Sequence, residues 1–156
     1  MSEARVVIRE CSISDIETCK NFPEIEREYA AECAIADMPP PLAKAETYKH
    51  LETTGTIKSF GAFLDEELVG FIVVIPPVLP HYSVRVGIGE SFFVLKQYRK
   101  TGAGIKLLHK AEEYALEVGG VGILISSPIG GILAEILPFL GYVEISRVFF
   151  RKLGDE

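Results

Sequence analysis

Metal ligands are scarce in this 156-residue sequence. It has three cysteines (Cys11, Cys19, Cys33) and three histidines (His50, His81, His109), and neither set falls at ligand spacing. No zinc or other metal site is expected from them. An odd number of cysteines without a disulfide framework reads as reduced thiols packed as small core residues. Long apolar runs are missing too. Leu68–Pro80 is short and interrupted by prolines, so it cannot span a bilayer and no membrane partner is expected. Met1-Ser2-Glu3-Ala4-Arg5 has no apolar signal region, and the expected compartment is the cytoplasm. Positive charge is in deficit, with 16 Lys and Arg against 22 Asp and Glu, net −6. Phosphate backbones call for a basic face, so nucleic acid is not expected as a partner. Repeats and low-complexity segments are absent. What remains is an ordinary globular composition, 48% apolar and 24% charged, long enough to bury one core. One domain over residues 1–156 is expected.

The periodicities give an element order. Arg5–Glu10 has the β-branched centre Val6-Val7-Ile8 and reads as a strand. Ser14-x-x-Glu17 has the form of a capping box and predicts a short helix ending near Phe22-Pro23. A second helix is predicted over Glu24–Ala36, with Ile25, Tyr29, Cys33 and Ala36 on one face. Pro39-Pro40-Pro41 interrupts, and a third helix covers Leu42–Thr53. Ser59–Leu64 alternates, Asp65-Glu66-Glu67 turns, and Leu68–Ile75 is continuously apolar, which predicts a hairpin whose second strand is buried on both faces. Val84–Leu95 is a long strand, and Gly102–Val118 an amphipathic helix ended by Gly119-Gly120. Val121–Ser126 follows as a strand parallel to the previous one. A short helix over Ile132–Leu137 stops at Pro138, and Tyr142–Lys152 is the last strand.

The basic turn between the long strand and the long helix carries the chemistry. In Ser91-Phe92-Phe93-Val94-Leu95-Lys96-Gln97-Tyr98-Arg99-Lys100-Thr101-Gly102-Ala103-Gly104, an apolar strand opens a helix through two glycines. The first turn of a helix has unpaired N–H groups and a partial positive charge, which suit a phosphate. Gly102 and Gly104 let an anion approach the backbone, and Lys96, Arg99 and Lys100 add charge. A glycine-rich turn is otherwise only a turn. The dinucleotide fingerprint fails, because Leu107 stands where its third glycine would be and Ser126-Ser127, not an acid, ends the next strand. A Walker loop fails for want of Gly-Lys-Ser/Thr.

Arg99-x-x-Gly102-x-Gly104 after an apolar strand resembles the acyl-CoA motif of the GNAT N-acetyltransferases, and Leu140-Gly141-Tyr142-Val143 with Phe149-Phe150-Arg151-Lys152-Leu153 resembles their C-terminal pattern. The element order agrees with that family over nearly the whole chain. The resemblance implies an α/β (α+β type) fold with a central mixed, mostly antiparallel twisted sheet flanked by helices, in the order β–α–α–β–β–β–α–β–α–β. It implies that acetyl-CoA is co-substrate, with pantetheine along Phe93–Val94, pyrophosphate on the amides of Lys100, Thr101, Gly102, Ala103, Gly104 and Ile105, and Arg99 as a further cofactor-binding residue of the turn.

Glu90 shares strand parity with Val84, Val86, Ile88, Phe92 and Val94. Facing an apolar layer it would be desolvated, which makes a carboxylate a better base. Should Gly87 or Gly89 bulge the strand, Glu90 would turn to solvent instead. Glu90-Ser91-Phe92-Phe93-Val94 also resembles the polyamine acetyltransferases of the family, where a Glu precedes the equivalent of Val94 by four residues. The chain departs from the family at two places. Leu137 replaces the Tyr that protonates the leaving thiolate, and Gly130 replaces a frequent Asn, leaving Tyr142, Ser126 and Ser127 as substitutes or as structural residues. A thiol pKa of about 8.5 lets the thiolate leave without a strong acid. Glu24, Glu26, Glu28 and Glu32 form an acidic helix that reads as a solvated face, or as the border of an amine pocket. The function implied is transfer of acetyl to a primary amine by direct attack, with Glu90 as base and N–H near Val94 holding the oxyanion. The alternative is a non-catalytic acyl-CoA-binding module of the same fold. The partners expected are a small-molecule or peptide amine acceptor, with a homodimer as an option.

Overall fold

The least polar strand of the chain becomes the middle of the sheet. The computed structural model describes residues 5–42 and 45–154. In chain order its elements are β1 (Val7–Glu10), α1 (Ile13–Glu17), α2 (Phe22–Cys33), α3 (Ala45–Thr53), β2 (Lys58–Leu64), β3 (Glu67–Ile75), β4 (Val78–Leu79), β5 (Val84–Arg85), β6 (Gly87–Val94), α4 (Ala103–Glu117), β7 (Ile123–Ile125) and α5 (Leu133–Ile136). Single 3₁₀ turns cover Lys96–Thr101 and Leu137–Leu140. The sheet runs β1-β2-β3-β6-β7, with β4 and β5 as a separate ribbon. Every pair is antiparallel except β6 and β7. This is the mixed, mostly antiparallel sheet expected of the sequence.

β3 is buried from Leu68 to Val74, so both faces of the sheet must be covered. Its side chains alternate between two cores. Ile72 and Val74 pack with Phe60, Ala62 and Val94 under Ala103, Leu107, Leu108 and Ala111 of α4. Phe71 and Val73 pack with Phe93 and Leu95 under Ile13 and Ile16 of α1 and Ile25 and Tyr29 of α2. Each buried aliphatic side chain contributes roughly 1.5–3 kcal/mol, which is what holds a 15-residue helix on the sheet. The β2–β3 connection is two residues, Asp65 (φ 50°) and Glu66 (φ 67°), both left-handed as a twisted two-residue hairpin requires.

Several expected boundaries move. The capping box is Ser12-x-x-Asp15, two residues before Ser14: Ser12 Oγ accepts from Asp15 N–H at 3.0 Å and Asp15 Oδ2 from Ser12 N–H at 2.9 Å. Asp at this position reaches back as well as Glu does, and the shift buries Ile13 and Ile16. α2 begins at Phe22 because Pro23 fits a first turn, and it ends before Ala36. The third helix begins at Ala45; Ala43 and Lys44 of its expected range lie outside the described residues. The expected Val84–Leu95 strand divides into β5 and β6, since Val86 N–H turns aside to Pro77 O. β7 keeps only Ile123–Ile125 of its expected six residues. Pro138 opens a 3₁₀ turn and does not end the helical segment. The largest departure is at the C-terminus: Tyr142–Lys152 joins no sheet.

Candidate active site

β6 and β7 run side by side for three pairs, Gly87–Ile123, Ile88–Leu124 and Gly89–Ile125, and then part. β6 continues through Val94 with one edge on β3 and the other facing a gap. Alternation decides which main-chain groups face it. Leu95 N–H bonds to Val69 O of β3, so the groups of Val94, one residue earlier, point the opposite way. Val94 O accepts from Arg99 Nε at 2.9 Å, which leaves Val94 N–H directed into the gap.

At the end of the gap lies the glycine turn. Gly102 caps α4 with φ 84°, a left-handed conformation that costs an L-residue with a side chain roughly 1–2 kcal/mol. The first helical bond of α4 is Lys106 N–H to Gly102 O at 3.1 Å, and Ala103 N–H is turned to Thr101 Oγ at 3.3 Å. The N–H groups of Gly104 and Ile105 have no acceptor among the described residues. A Cβ at Gly104 would lie 3.7 Å from Phe92 Cζ and 3.8 Å from Val94 Cγ2, so this helix start adjoins the gap beside β6. Those contacts are ordinary, and alanine is a better helix former by up to about 1 kcal/mol. Gly104→Ala should therefore raise the melting temperature slightly, which thermal unfolding will check.

Arg99 has a different task from the one its charge suggested. Besides Val94 O, it bonds Glu32 at 2.8 and 2.9 Å through Nη2, and its guanidinium stands 5.3 Å from the centre of the Phe93 ring. Lys96 N–H donates to Glu28 Oε1 at 3.1 Å. Glu28 and Glu32 are thus neighbouring positions on α2 that tie the turn to the helix layer, and for these two the solvated-face reading does not hold. Lys100 and Thr101 remain exposed at the turn, and Ala103 is fully buried beneath it.

Glu90 does not face an apolar layer. The β3–β6 register steps from Val74–Gly89 to Val73–Ser91, so Glu90 is the extra residue of a bulge. The bulge turns it out, and it is exposed. Its carboxylate is nevertheless held: Tyr48 Oη lies 3.0 Å from Oε1 and 2.9 Å from Oε2. Burial first, and then the Glu90 charge, push the Tyr48 hydroxyl well above the usual tyrosine range. Tyr48 keeps its proton at neutral pH and donates it to Glu90. Tyr29, set edge-on to Phe93 at 5.5 Å, is pushed up as well, mainly by burial and then by Cys33, Tyr48 and Glu90. Tyr48 carries no sequence signal: it sits one turn before Leu51 on α3 and reads as a core residue. Only the bulge brings Glu90 to it.

Leu137 is buried in the α4-side core, and Tyr142 packs against the same cluster. Tyr142 Oη is buried without a hydrogen-bond partner among the described residues, and burial pushes it up to about 12. An unpaired buried hydroxyl is a cost of roughly 1–3 kcal/mol. Tyr142→Phe should unfold at the same or a higher temperature and turn over as the parent does. A loss of several orders of magnitude with the fold intact would make Tyr142 an acid. Ser127 Oγ donates to Pro128 O at 3.3 Å, and Ser126 is exposed. The three cysteines are free thiols, half-buried, with Cys11 pushed up to about 12 chiefly by burial. Among the described residues no cluster of three metal-ligating side chains occurs, and no helix is long and apolar enough to cross a membrane.

This arrangement, a splayed strand pair leading into an open-amide helix start, is that of an acyltransferase class. The model of the acetyltransferase (GNAT) family matches residues 22–129, and the chain belongs to that family. Family members use acetyl-CoA. No curated protein matches the sequence. Among solved structures, a ribosomal-protein-alanine N-acetyltransferase from Brucella melitensis biovar Abortus 2308 is similar, at 18% identity and a TM-score of 0.74, over 96% of this chain and 99% of that one. An aminoglycoside acetyltransferase from an uncultured soil metagenomic sample, solved with sisomicin, is 15% identical with a TM-score of 0.73, over 96% and 97%. The aminoglycoside acetyltransferase AAC(6')-Iy, solved with a CoA-linked bisubstrate analogue, is 20% identical with a TM-score of 0.73, over 97% and 100%. At these identities the likeness is one of fold.

Proposed function

We propose that this protein is a single-domain N-acyltransferase, residues 1–156, that moves acetyl from acetyl-CoA to a primary amine by direct attack. The observation that carries the reading is the order of three groups along β6 and the start of α4: a tethered carboxylate, Glu90, then a free Val94 N–H, then the open amides of Gly104 and Ile105. Gly104 and Ile105 N–H, with Gly102 shaping the turn and Lys100 adding charge, receive the pyrophosphate. Main-chain groups of Phe93 and Val94 align the pantetheine, and Val94 N–H holds the thioester oxygen as it gains charge. Glu90 takes the proton of the attacking amine. Four residues of strand span roughly 13 Å, so the proton reaches Glu90 through ordered water. Tyr48 keeps the carboxylate in place without neutralising it. No metal enters the reaction.

The net charge of −6 and the carboxylate at the gap favour a cationic acceptor, small molecule or peptide. The cytoplasm, on the strength of three thiols left unpaired, is the compartment this reading carries. The non-catalytic alternative rests on Leu137, an apolar residue buried where the family's acid would stand. A panel of polyamines, amino acids, aminoglycosides and peptide N-termini separates the two. CoA release with at least one amine is expected. Tight CoA binding without release across the panel would establish the binding module instead. Tyr48→Phe, with its loosened carboxylate, should lower turnover about tenfold at unchanged CoA affinity. Parental turnover in that variant would mean that the tether has no catalytic part.

A further inference from the structure

Arg99 stands in a basic turn, yet its guanidinium is engaged with protein groups on three sides. Nε donates to Val94 O at 2.9 Å, and Nη2 donates to the two Glu32 oxygens at 2.8 and 2.9 Å. The same group lies 5.3 Å from the centre of the Phe93 ring, which Tyr29 meets edge-on from α2 at 5.5 Å. Arg99 and Glu32 are both mostly buried, with 28% and 30% of their side chains exposed. A planar fork bound to a carboxylate and a carbonyl at once has one orientation open to it, where a lysine would have many.

These contacts converge on one peptide unit. The N–H that faces the gap belongs to the Phe93–Val94 peptide, and Arg99 touches the ring of its first residue and the carbonyl of its second. On the inner side the strand is already fixed. Leu95 N–H bonds to Val69 O at 2.9 Å, and Phe93, paired with Phe71, faces β3 by the same alternation. On the gap side β7 has parted after Gly89–Ile125, so no strand holds Val94 there. Among the described residues, Arg99 is the group that bonds Val94 O from that side. Glu32, reaching over from α2, keeps the arginine from swinging away.

We propose that Arg99, oriented by Glu32, is a positioning residue that fixes the direction of Val94 N–H in the gap. Its consequence for turnover rests on the acyl-transfer reading; its effect on the amide does not. Arg99→Lys keeps the charge and loses the fork. It should lower turnover at saturating acetyl-CoA and amine about tenfold, a part of what an absent oxyanion donor costs, at parental CoA affinity. Glu32→Gln should act in the same direction, and the double variant should fall no further than Arg99→Lys alone, since both break one fork. In Arg99→Ala, added methylguanidinium should restore turnover and methylammonium should not, because only the planar cation bridges both acceptors. The Val94 amide resonance, read by NMR without turnover, should shift in both Arg99 variants and return with methylguanidinium in Arg99→Ala. CoA affinity falling in step with turnover would make Arg99 a phosphate ligand and overturn the proposal. Parental turnover in Arg99→Lys, equal rescue by the two cations, or an unmoved Val94 resonance overturns it too. If the parent releases no CoA with any amine while the resonance moves as expected, the acyl-transfer reading falls and the hold of Arg99 on Val94 stands.

Discussion

Glu90→Gln should lower turnover about a hundredfold, the usual size of a lost general base, while CoA affinity stays at its parental value. The substitution keeps the size of the side chain and still offers an acceptor to Tyr48, whose hydroxyl lies 2.9–3.0 Å from the carboxylate oxygens. What it removes is the capacity to take a proton. The deficit should be greatest at low pH, where most of the amine is protonated and the enzyme most needs a base. Steady-state kinetics with saturating acceptor distinguish this role from simple attraction of a cation. If Glu90 only draws a cationic amine to the gap, the acceptor KM rises and saturating turnover stays intact. Parental saturating turnover would end the general-base assignment.

Gly102→Val should reduce CoA affinity by about a hundredfold. At φ 84° a β-branched side chain strains the backbone by roughly 1–2 kcal/mol, although a Cβ there would meet no protein atom within 4 Å. The fold can carry that strain, because the residues packed under the turn are Ala103, Leu107 and Leu108, which the change does not touch. The turn itself relaxes, and the amides of Gly104 and Ile105 lose their common direction. Calorimetry with CoA, alongside thermal unfolding, will measure both. A folded variant with unchanged CoA affinity would remove the turn from the binding site. Lys100→Ala is the natural comparison: it should weaken binding less, and its effect should fade in salt, since an exposed lysine adds screened charge and no geometry.

How far the sequence led differs from one residue to the next. The buried strand at 68–75, the amphipathic helix after Gly102 and the parallel return to β7 were legible because each is a local pattern: an apolar run, a helical period, a helix too close to the next strand for anything but a crossover. The glycine turn was legible for the same reason. Glu90 was legible as a candidate with two settings open. Strand parity carried it to the apolar face, and the alternative, a glycine-permitted bulge that turns it to solvent, is the one realised, at the step between Gly89 and Ser91. Such a bulge depends on how two strands twist against each other, which no single strand encodes. Arg99 was legible as a charge, but its partners Val94 O and Glu32 come from separate elements.

The sequence by itself determined that this chain folds as helices around a mostly antiparallel sheet and that a basic glycine turn opens its longest helix. These follow from spacing and residue type over a few turns of chain, where backbone geometry leaves few choices. Only the tertiary structure decided that Val94 N–H faces a gap and not β3, that Tyr48 on α3 holds the Glu90 carboxylate, that Glu28 and Glu32 anchor the turn, and that the last strand has no sheet of its own. Each depends on how segments far apart in the chain pack, on which faces the two cores bury and on which hydrogen-bonding edges the packing leaves open.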